Sequence, residues 1–166
     1  MKRIVYHGSS CVVDTPIATL GRLDLDFGQG FYLTDYREQA VAWAETVGKR
    51  TPDAIPYLNI YELDMDRVEA SYRCRCFDAY DETWLKFIVD SRAGRKPWEI
   101  YDFIEGGVAD DRVIDTIEGY ISGLMPVEIA LERLARHQPN NQICLLNQAL
   151  IDSCLDFVGK EVIDVK

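Results

Sequence analysis

The chain has 166 residues, 48% of them hydrophobic, and a formal net charge of −10 at pH 7. That length suits one domain with a continuous core, so we predict a single domain over residues 1–166. The acidic balance disfavours binding to nucleic acid, because phosphate backbones are held by clustered lysine and arginine. No apolar run reaches 18 residues and the N-terminus soon becomes polar, so we predict a cytoplasmic protein without a membrane span or signal peptide.

The cysteine and histidine content argues against a disulfide framework and against a structural metal site. The five cysteines are an odd number at irregular spacings, which is typical of reduced thiols. Only His7 and His137 could supply imidazole ligands, so a zinc site would need ligands gathered from scattered positions. We therefore predict reduced cysteines and no metal.

Two short strands joined by a long irregular segment are predicted for the first 34 residues. Alternating polar and apolar residues from Arg3 to His7 predict a strand that ends at His7. The segment that follows, to about Asp26, is rich in glycine, serine and proline and lacks periodicity, which predicts an irregular connection. Two glycines then precede a short aromatic strand at residues 31–34, where they permit close backbone approach.

A helix is predicted directly after this aromatic strand. Asp35 is placed to cap the N-terminus of the helix, with Glu38 three residues later. Four apolar side chains recur at helical spacing and predict its buried face: Ala40, Trp43, Ala44 and Val47. The N-terminus of such a helix, beside exposed backbone, is suited to an anionic ligand.

The middle of the chain predicts two further strands and a helix between them. Residues 57–65 are rich in tyrosine, leucine and isoleucine and predict a central strand. Residues 81–91 predict a helix capped by its first aspartate, and residues 101–105 a short strand. Asp110 or Asp111 is then placed to cap the next helix.

Two amphipathic helices, two strands and a short helix are predicted for the last third. The predicted inward stripes are Val113, Ile117, Tyr120 and Leu124 in the first helix and Val127, Ala130, Leu131 and Leu134 in the second. Residues 142–146 predict a strand, which a short helix capped by Asn147 follows. Residues 161–165 predict the final strand.

The first functional candidate is His7 at the end of its strand. A single histidine in that position is also compatible with a structural role, so His7 alone does not establish a functional site. The aromatic strand supports a binding site, because it presents Tyr32 and open glycine backbone beside a helix N-terminus. A packed aromatic strand after a turn remains the structural alternative.

Several segments together resemble an uncharacterised bacterial family placed among the ADP-ribosyltransferase-like proteins. The matching segments cover nearly the whole chain: residues 6–9, 26–34, 39–44, 101–111 and 141–144, with Ala149 and Leu150. The resemblance implies an α+β fold of the ADP-ribosyltransferase type, with split mixed and antiparallel sheets flanked by helices around an NAD cleft. Its branch, which includes diphtheria toxin and poly-ADP-ribose polymerases, carries histidine, tyrosine and usually glutamate on three core strands.

The resemblance also implies roles for individual residues. His7 is expected to hydrogen-bond a ribose hydroxyl of NAD, the Gly8 backbone to meet the nicotinamide carboxamide, and Tyr32 to stack on the nicotinamide ring. Gln142 is expected at the third position, where the family usually has glutamate. The implied NAD-binding set is completed by neighbours of these residues: Ser9, Gly30, Phe31 and Thr34.

The function implied by the resemblance is NAD-dependent mono-ADP-ribosylation with release of nicotinamide. A protein acceptor and a small antitoxin-like partner are implied by the family's toxin–antitoxin or defence setting. Because a neutral amide at Gln142 stabilises an oxocarbenium ion much less than a carboxylate does, the alternative is an inactive module that binds NAD or ADP-ribose or another protein.

Other chemical groups leave further alternatives open. Three other carboxylates could enter the cleft in place of Gln142: Glu105, Glu118 and Glu161. A thiol nucleophile would pair Cys11 or Cys144 with His7 or His137. Arg37 and Arg92 are candidates for the NAD pyrophosphate, although arginine on an amphipathic helix is more often a solvated residue.

Overall fold

The computed structural model describes residues 1–23, 25–109, 111–134 and 140–164, with the backbone alone at 111, 112 and 134. Within these ranges the chain is α+β, with two sheets and six α-helices. The predicted α+β class is therefore confirmed.

The strands are β1 (Lys2–Ser9), β2 (Phe31–Leu33), β3 (Tyr57–Asp64), β4 (Cys74–Cys76), β5 (Phe103–Gly106), β6 (Gln142–Leu145) and β7 (Leu155–Val162). The α-helices are α1 (Arg37–Arg50), α2 (Met65–Ser71), α3 (Glu82–Arg92), α4 (Asp111–Ile121), α5 (Val127–Leu134) and α6 (Gln148–Cys154). Short 3₁₀ turns cover Ala18–Leu20 and Pro97–Ile100.

The strands form a three-stranded and a four-stranded sheet. The first sheet has the order β1-β3-β7 and is antiparallel throughout. The second has the order β2-β6-β5-β4 and is mixed, because β4 and β5 run parallel. One isolated antiparallel bridge, between Tyr6 in β1 and Thr34 after β2, links the two sheets.

Two hydrophobic cores lie on the two faces of the second sheet. Val5 and Tyr61 from the first sheet pack with Phe31, Ile143 and Leu145 from the second. The other core packs α3, α4 and α5 against Ile104 and Cys144. The second sheet therefore has packed elements on both faces. Its β2 edge is bridged to β1, and helix α1 packs against β1.

Two predicted helix caps are confirmed and one is wrong. The Asp81 side chain accepts from the Trp84 N–H at the start of α3, and Asn147 accepts from the Ala149 N–H at the start of α6. At α1 the N-cap residue is Tyr36, without a side-chain cap. Asp35 instead bonds to distant side chains, so its carboxylate is taken by tertiary contacts. Asp110 lies outside the described residues.

The buried faces of two predicted helices, α1 and α4, differ in detail from their stripes. Ala40, Ala44, Val113 and Ile117 are buried as predicted, but Trp43 is 51% exposed and Leu124 is 87% exposed. The Trp43 ring is contacted by the Arg50 guanidinium, 5.6 Å from the ring centroid, and Leu124 lies beyond the end of α4 at Ile121. The Leu134 side chain lies outside the described residues.

The last strand is longer and earlier than predicted. It begins at Leu155, directly after α6, and ends at Val162, whereas residues 161–165 were expected. Its pairing with β3 shifts register, since Ile60 lies opposite Gly159 and Tyr61 opposite Phe157. Because this irregularity interrupts the alternation of side chains, the period-two pattern is weak there. Helix α2 and strand β4 were not predicted.

None of the described helices is long and apolar enough to cross a membrane.

Candidate functional site

His7 lies where the two sheets separate. Backbone hydrogen bonds join the sheets at the Tyr6–Thr34 bridge. The next hydrogen bond between them comes from a side chain: His7 Nδ1 lies 2.7 Å from the Tyr32 carbonyl oxygen. A carbonyl only accepts, so Nδ1 carries the proton and Nε2 is left as an acceptor in the neutral ring. Burial lowers the pKa of His7 from its usual 6.5, since it disfavours the charged form.

Tyr32 is held by both ends of its side chain. Its hydroxyl donates to the Gly28 carbonyl at 2.7 Å and accepts from the Phe27 N–H at 3.2 Å. Burial raises the pKa of this phenol, so it stays neutral. The hydroxyl therefore bonds to the turn before β2, and the partly buried ring packs against the second hydrophobic core.

Gln142 and Tyr32 lie on the same face of the second sheet. Tyr32 is opposite Cys144 in the β2–β6 pair, and Gln142 is two residues before Cys144. The Gln142 amide lies 3.5 Å from the Gly107 carbonyl, which is a weak hydrogen bond. The His7 ring contacts Phe31, with ring centroids 4.5 Å apart, so it lies on the opposite face from Tyr32.

The glycines of the predicted site have packing reasons for lacking a side chain. A Cβ at Gly8 would lie 2.4 Å from the Ala40 carbonyl oxygen and 2.8 Å from the Ala44 nitrogen, both in α1. A Cβ at Gly30 would lie 2.6 Å from the Cys144 sulfur. Gly8 thus brings α1 against β1, and Gly30 brings the chain close to β6.

Ser9 and Thr34 organise the backbone around the site. Ser9 Oγ accepts from the Cys11 N–H at 3.3 Å, and Thr34 Oγ1 accepts from the Tyr36 N–H at 3.1 Å. The structure thus brings the predicted NAD-binding residues to one junction of β1, β2, β6 and α1. It places the side chains of His7 and Tyr32 on different sides of that junction.

Asn59 is a residue of this site that the sequence did not predict. It lies opposite His7 in β3 and is fully buried. Its amide nitrogen donates to the carbonyls of His7 and Cys11, each at 3.2 Å, and its oxygen accepts from the Val13 N–H at 2.9 Å. A single side chain therefore fixes the path of the chain after β1. A buried asparagine within an apolar strand was the only available signal.

A second unpredicted feature is a polar network beside Gln142. Arg3 donates to both Glu105 oxygens, at 2.9 and 2.6 Å, and to Asp35 at 3.0 Å. The Asn141 amide donates to Asp35 at 3.0 Å and to Glu105 at 2.7 Å. Gln39 Nε2 also donates to the Asn141 carbonyl. The residue next to Gln142 is therefore held by side chains far from it in sequence.

The structure narrows the choice among the other carboxylates. Glu105 is neutralised by Arg3, and Glu161 forms an exposed ion pair with Arg37. Glu118 is exposed on α4. Asp26 pairs with Arg92 at 2.8 Å. Both arginines considered for the pyrophosphate, Arg37 and Arg92, are therefore already in ion pairs.

The thiol alternative gains no geometric support from the described residues. Cys144 is fully buried, and burial raises the pKa of its thiol. Cys11 is exposed, and its sulfur lies 3.4 Å from Ser9 Oγ, whereas His7 Nδ1 is engaged by Tyr32. All five cysteines are free thiols. His137 lies outside the described residues.

A cavity of about 360 Å³ opens at the other end of β6. It is lined by Ala18, Thr19, Gln29, Trp98, Glu99, Tyr101, Asp102, Leu146, Asn147 and Gln148. None of the predicted site residues lines it. Among the described residues, no group of three or more histidine, cysteine, aspartate or glutamate side chains is arranged to hold a metal ion.

The fold and site define an α+β protein with a histidine, a tyrosine and a glutamine on strands that meet at the junction of two sheets. The chain belongs to the family described as protein of unknown function (DUF3990), whose model matches residues 3–157. No curated protein and no solved structure matches the chain.

Proposed function

We propose that this protein is an NAD-dependent mono-ADP-ribosyltransferase with the ADP-ribosyltransferase fold, which binds NAD at the junction of β1 and β2. The carrying observation is the lateral order of the strands: β1 with His7 is bridged to the end of β2 with Tyr32, and β2 pairs with β6, which begins at Gln142. The three residue types that the resemblance implies thus lie on strands that neighbour one another, which supports the proposal.

The chemistry available at His7 suits a sugar hydroxyl. With the proton on Nδ1 held by the Tyr32 carbonyl, Nε2 is an acceptor for a ribose hydroxyl. The Gly8 backbone would meet the nicotinamide carboxamide, and the Tyr32 ring would supply the stacking surface. The lowered pKa of His7 keeps the ring neutral at pH 7, so this acceptor is available there.

Gln142 limits the chemistry to a modest rate. Cleavage of the nicotinamide–ribose bond develops oxocarbenium character, which a carboxylate stabilises more than an amide. Gln142 can still orient the ribose by hydrogen bonding. It cannot deprotonate an incoming hydroxyl, which favours a single transfer, with a protein as acceptor, over chain extension.

A module that binds NAD or ADP-ribose without reaction is the second candidate. Its support is that Glu105 is neutralised by Arg3 and Glu161 by Arg37, while Glu118 is exposed on α4. None of these three is then a free carboxylate beside Gln142. Either candidate could bind a small antitoxin-like partner.

Substitution of Gln142 separates the two candidates. We expect Gln142→Glu to raise nicotinamide release about tenfold, because the carboxylate stabilises the developing positive charge. We expect Gln142→Ala to lower the rate more than it weakens NAD binding. The measurements are nicotinamide release by chromatography and NAD affinity by calorimetry on the full chain.

The control for added charge is Thr83→Glu, which places a carboxylate on the exposed first turn of α3. It should leave both the rate and the NAD affinity unchanged. Measurable NAD binding with no nicotinamide release from wild type or Gln142→Glu would support the binding module. Absence of NAD binding in wild type would reject the transferase, and absence of both NAD and ADP-ribose binding would reject the binding module as well.

A further inference from the structure

The pyrophosphate of NAD still needs a cation in the proposed site. The protein has a formal net charge of −10, so an anionic ligand depends on a positive charge close to it. Arg37 and Arg92 are each neutralised by a carboxylate. Arg50, the other arginine of α1, forms no ion pair within the described residues. Its charge is therefore free for a ligand.

Helix α1 lies on the same side of the two sheets as the Tyr32 ring. Alternation along β1 places Tyr6 and Gly8 on one face, and a Cβ on Gly8 would point into α1. Tyr6 is bridged to Thr34, and opposite residues of an antiparallel pair point to the same face. Tyr32, two residues before Thr34, shares that face. Helix α1 therefore borders the proposed NAD site.

Two side-chain contacts show which flank of α1 faces each sheet. Arg37 forms its ion pair in β7, at the far edge of the first sheet. Gln39 Nε2 donates to the carbonyl of the residue just before β6, in the second sheet. At about 100° per helical residue, Trp43 and Arg50 both lie within about 40° of Gln39 around the axis. Both therefore lie on the flank that faces the second sheet, where Tyr32 is.

The Arg50 guanidinium is held against the Trp43 ring. Its central carbon lies 5.6 Å from the ring centroid, and both side chains are exposed. A cation–π contact of this kind fixes the guanidinium without using its N–H donors. Arg50 lies about 9 Å along the axis from Ala44, which contacts Gly8, but its side chain folds back to Trp43. The positive charge is thus near the turn of α1 that covers Gly8.

We propose that Arg50, held on Trp43, binds the pyrophosphate of NAD, an inference that rests on the proposed function. One ribose separates the nicotinamide from the pyrophosphate, so a carboxamide at Gly8 leaves the phosphates within reach of this flank of α1. The planar guanidinium can donate two parallel hydrogen bonds to phosphate oxygens. A basic residue in the last turn of a helix also favours the helix dipole, and Lys49 shares that role. Lys49 lies about 180° from the buried Ala40, so it points away from the site.

The test is titration calorimetry of NAD and of ADP-ribose with the full chain. We expect Arg50→Gln to weaken the binding of both ligands about tenfold, because it removes a charge-assisted contact with the phosphates. Arg50→Lys keeps the charge without the planar fork and should weaken binding only about threefold. Nicotinamide has no phosphate, so its affinity, measured by ligand-observed NMR, should be the same in wild type and Arg50→Gln.

The matched control is Lys49→Gln, which removes the same charge from the same exposed turn and should leave both affinities unchanged. Equal losses in Lys49→Gln and Arg50→Gln would overturn the inference, because they would reflect total charge alone. A loss of nicotinamide affinity as large as that of NAD would do the same. Unchanged NAD and ADP-ribose affinity in Arg50→Gln would overturn the inference and leave the proposed function standing. Absence of NAD and ADP-ribose binding in wild type would overturn both.

Discussion

Arg3→Met is expected to destabilise the protein by about 2 to 3 kcal/mol. The Arg3 and Glu105 side chains are only 21% and 18% exposed, and the substitution leaves Glu105 and Asp35 without their shared cation. Loss of one partner of a largely buried pair is costly because the other charge stays desolvated. Urea denaturation followed by circular dichroism measures the free energy of unfolding.

The control for Arg3→Met is Arg37→Met, which breaks the ion pair with Glu161. Both of those side chains are nearly half exposed, so this loss should be less than about 1 kcal/mol. The double variant Arg3→Met with Glu105→Met should recover part of the loss, since it removes the unpaired carboxylate. Equal losses in the free energy of unfolding for Arg3→Met and Arg37→Met would show that the partly buried Arg3 network stabilises the protein no more than an exposed ion pair does.

Gly8→Ala is expected to cost about 2 to 3 kcal/mol, because the new methyl group would overlap α1. Its Cβ would approach the Ala40 carbonyl oxygen and the Ala44 nitrogen, which are backbone atoms and move only with the helix. The displacement of α1 should also weaken NAD binding. Unfolding in urea and NAD calorimetry on the same preparation measure the two effects.

Gly159→Ala provides the matched control for this substitution. Gly159 also lies in a strand of the first sheet, but a Cβ there would meet no atom within 4 Å. Its stability should stay within about 0.5 kcal/mol of wild type. If Gly8→Ala were as mild as this control, the close packing of β1 against α1 would be contradicted.

Local patterns predicted the elements whose signals are contained in a few neighbouring residues. The caps at Asp81 and Asn147 have acceptor side chains immediately before helical segments, and both are observed. The Asp35 cap failed although its local pattern is similar. Asp35 is drawn to Arg3 and Asn141 by tertiary contacts, and no local pattern encodes a partner 106 residues away.

The strands that carry the candidate site could be predicted from the sequence, but the side chains that hold those strands in place could not. His7 and Tyr32 were proposed from glycines, aromatic residues and a family resemblance, and the structure places both at one junction. Asn59 and the Arg3 network act through contacts between distant segments, so spacing gave no sign of them. The relative faces of the His7 and Tyr32 rings also depend on how the two sheets meet.

Nicotinamide release from NAD by the purified full chain, compared between wild type and His7→Ala with a cell lysate as acceptor, measures whether the proposed site is catalytic. We expect slow release by wild type that increases with the acceptor and is lost in His7→Ala. The variant must show the circular dichroism spectrum of the wild type. Release that persists unchanged in folded His7→Ala would contradict the proposed site, because the His7 acceptor would then have no part in the reaction.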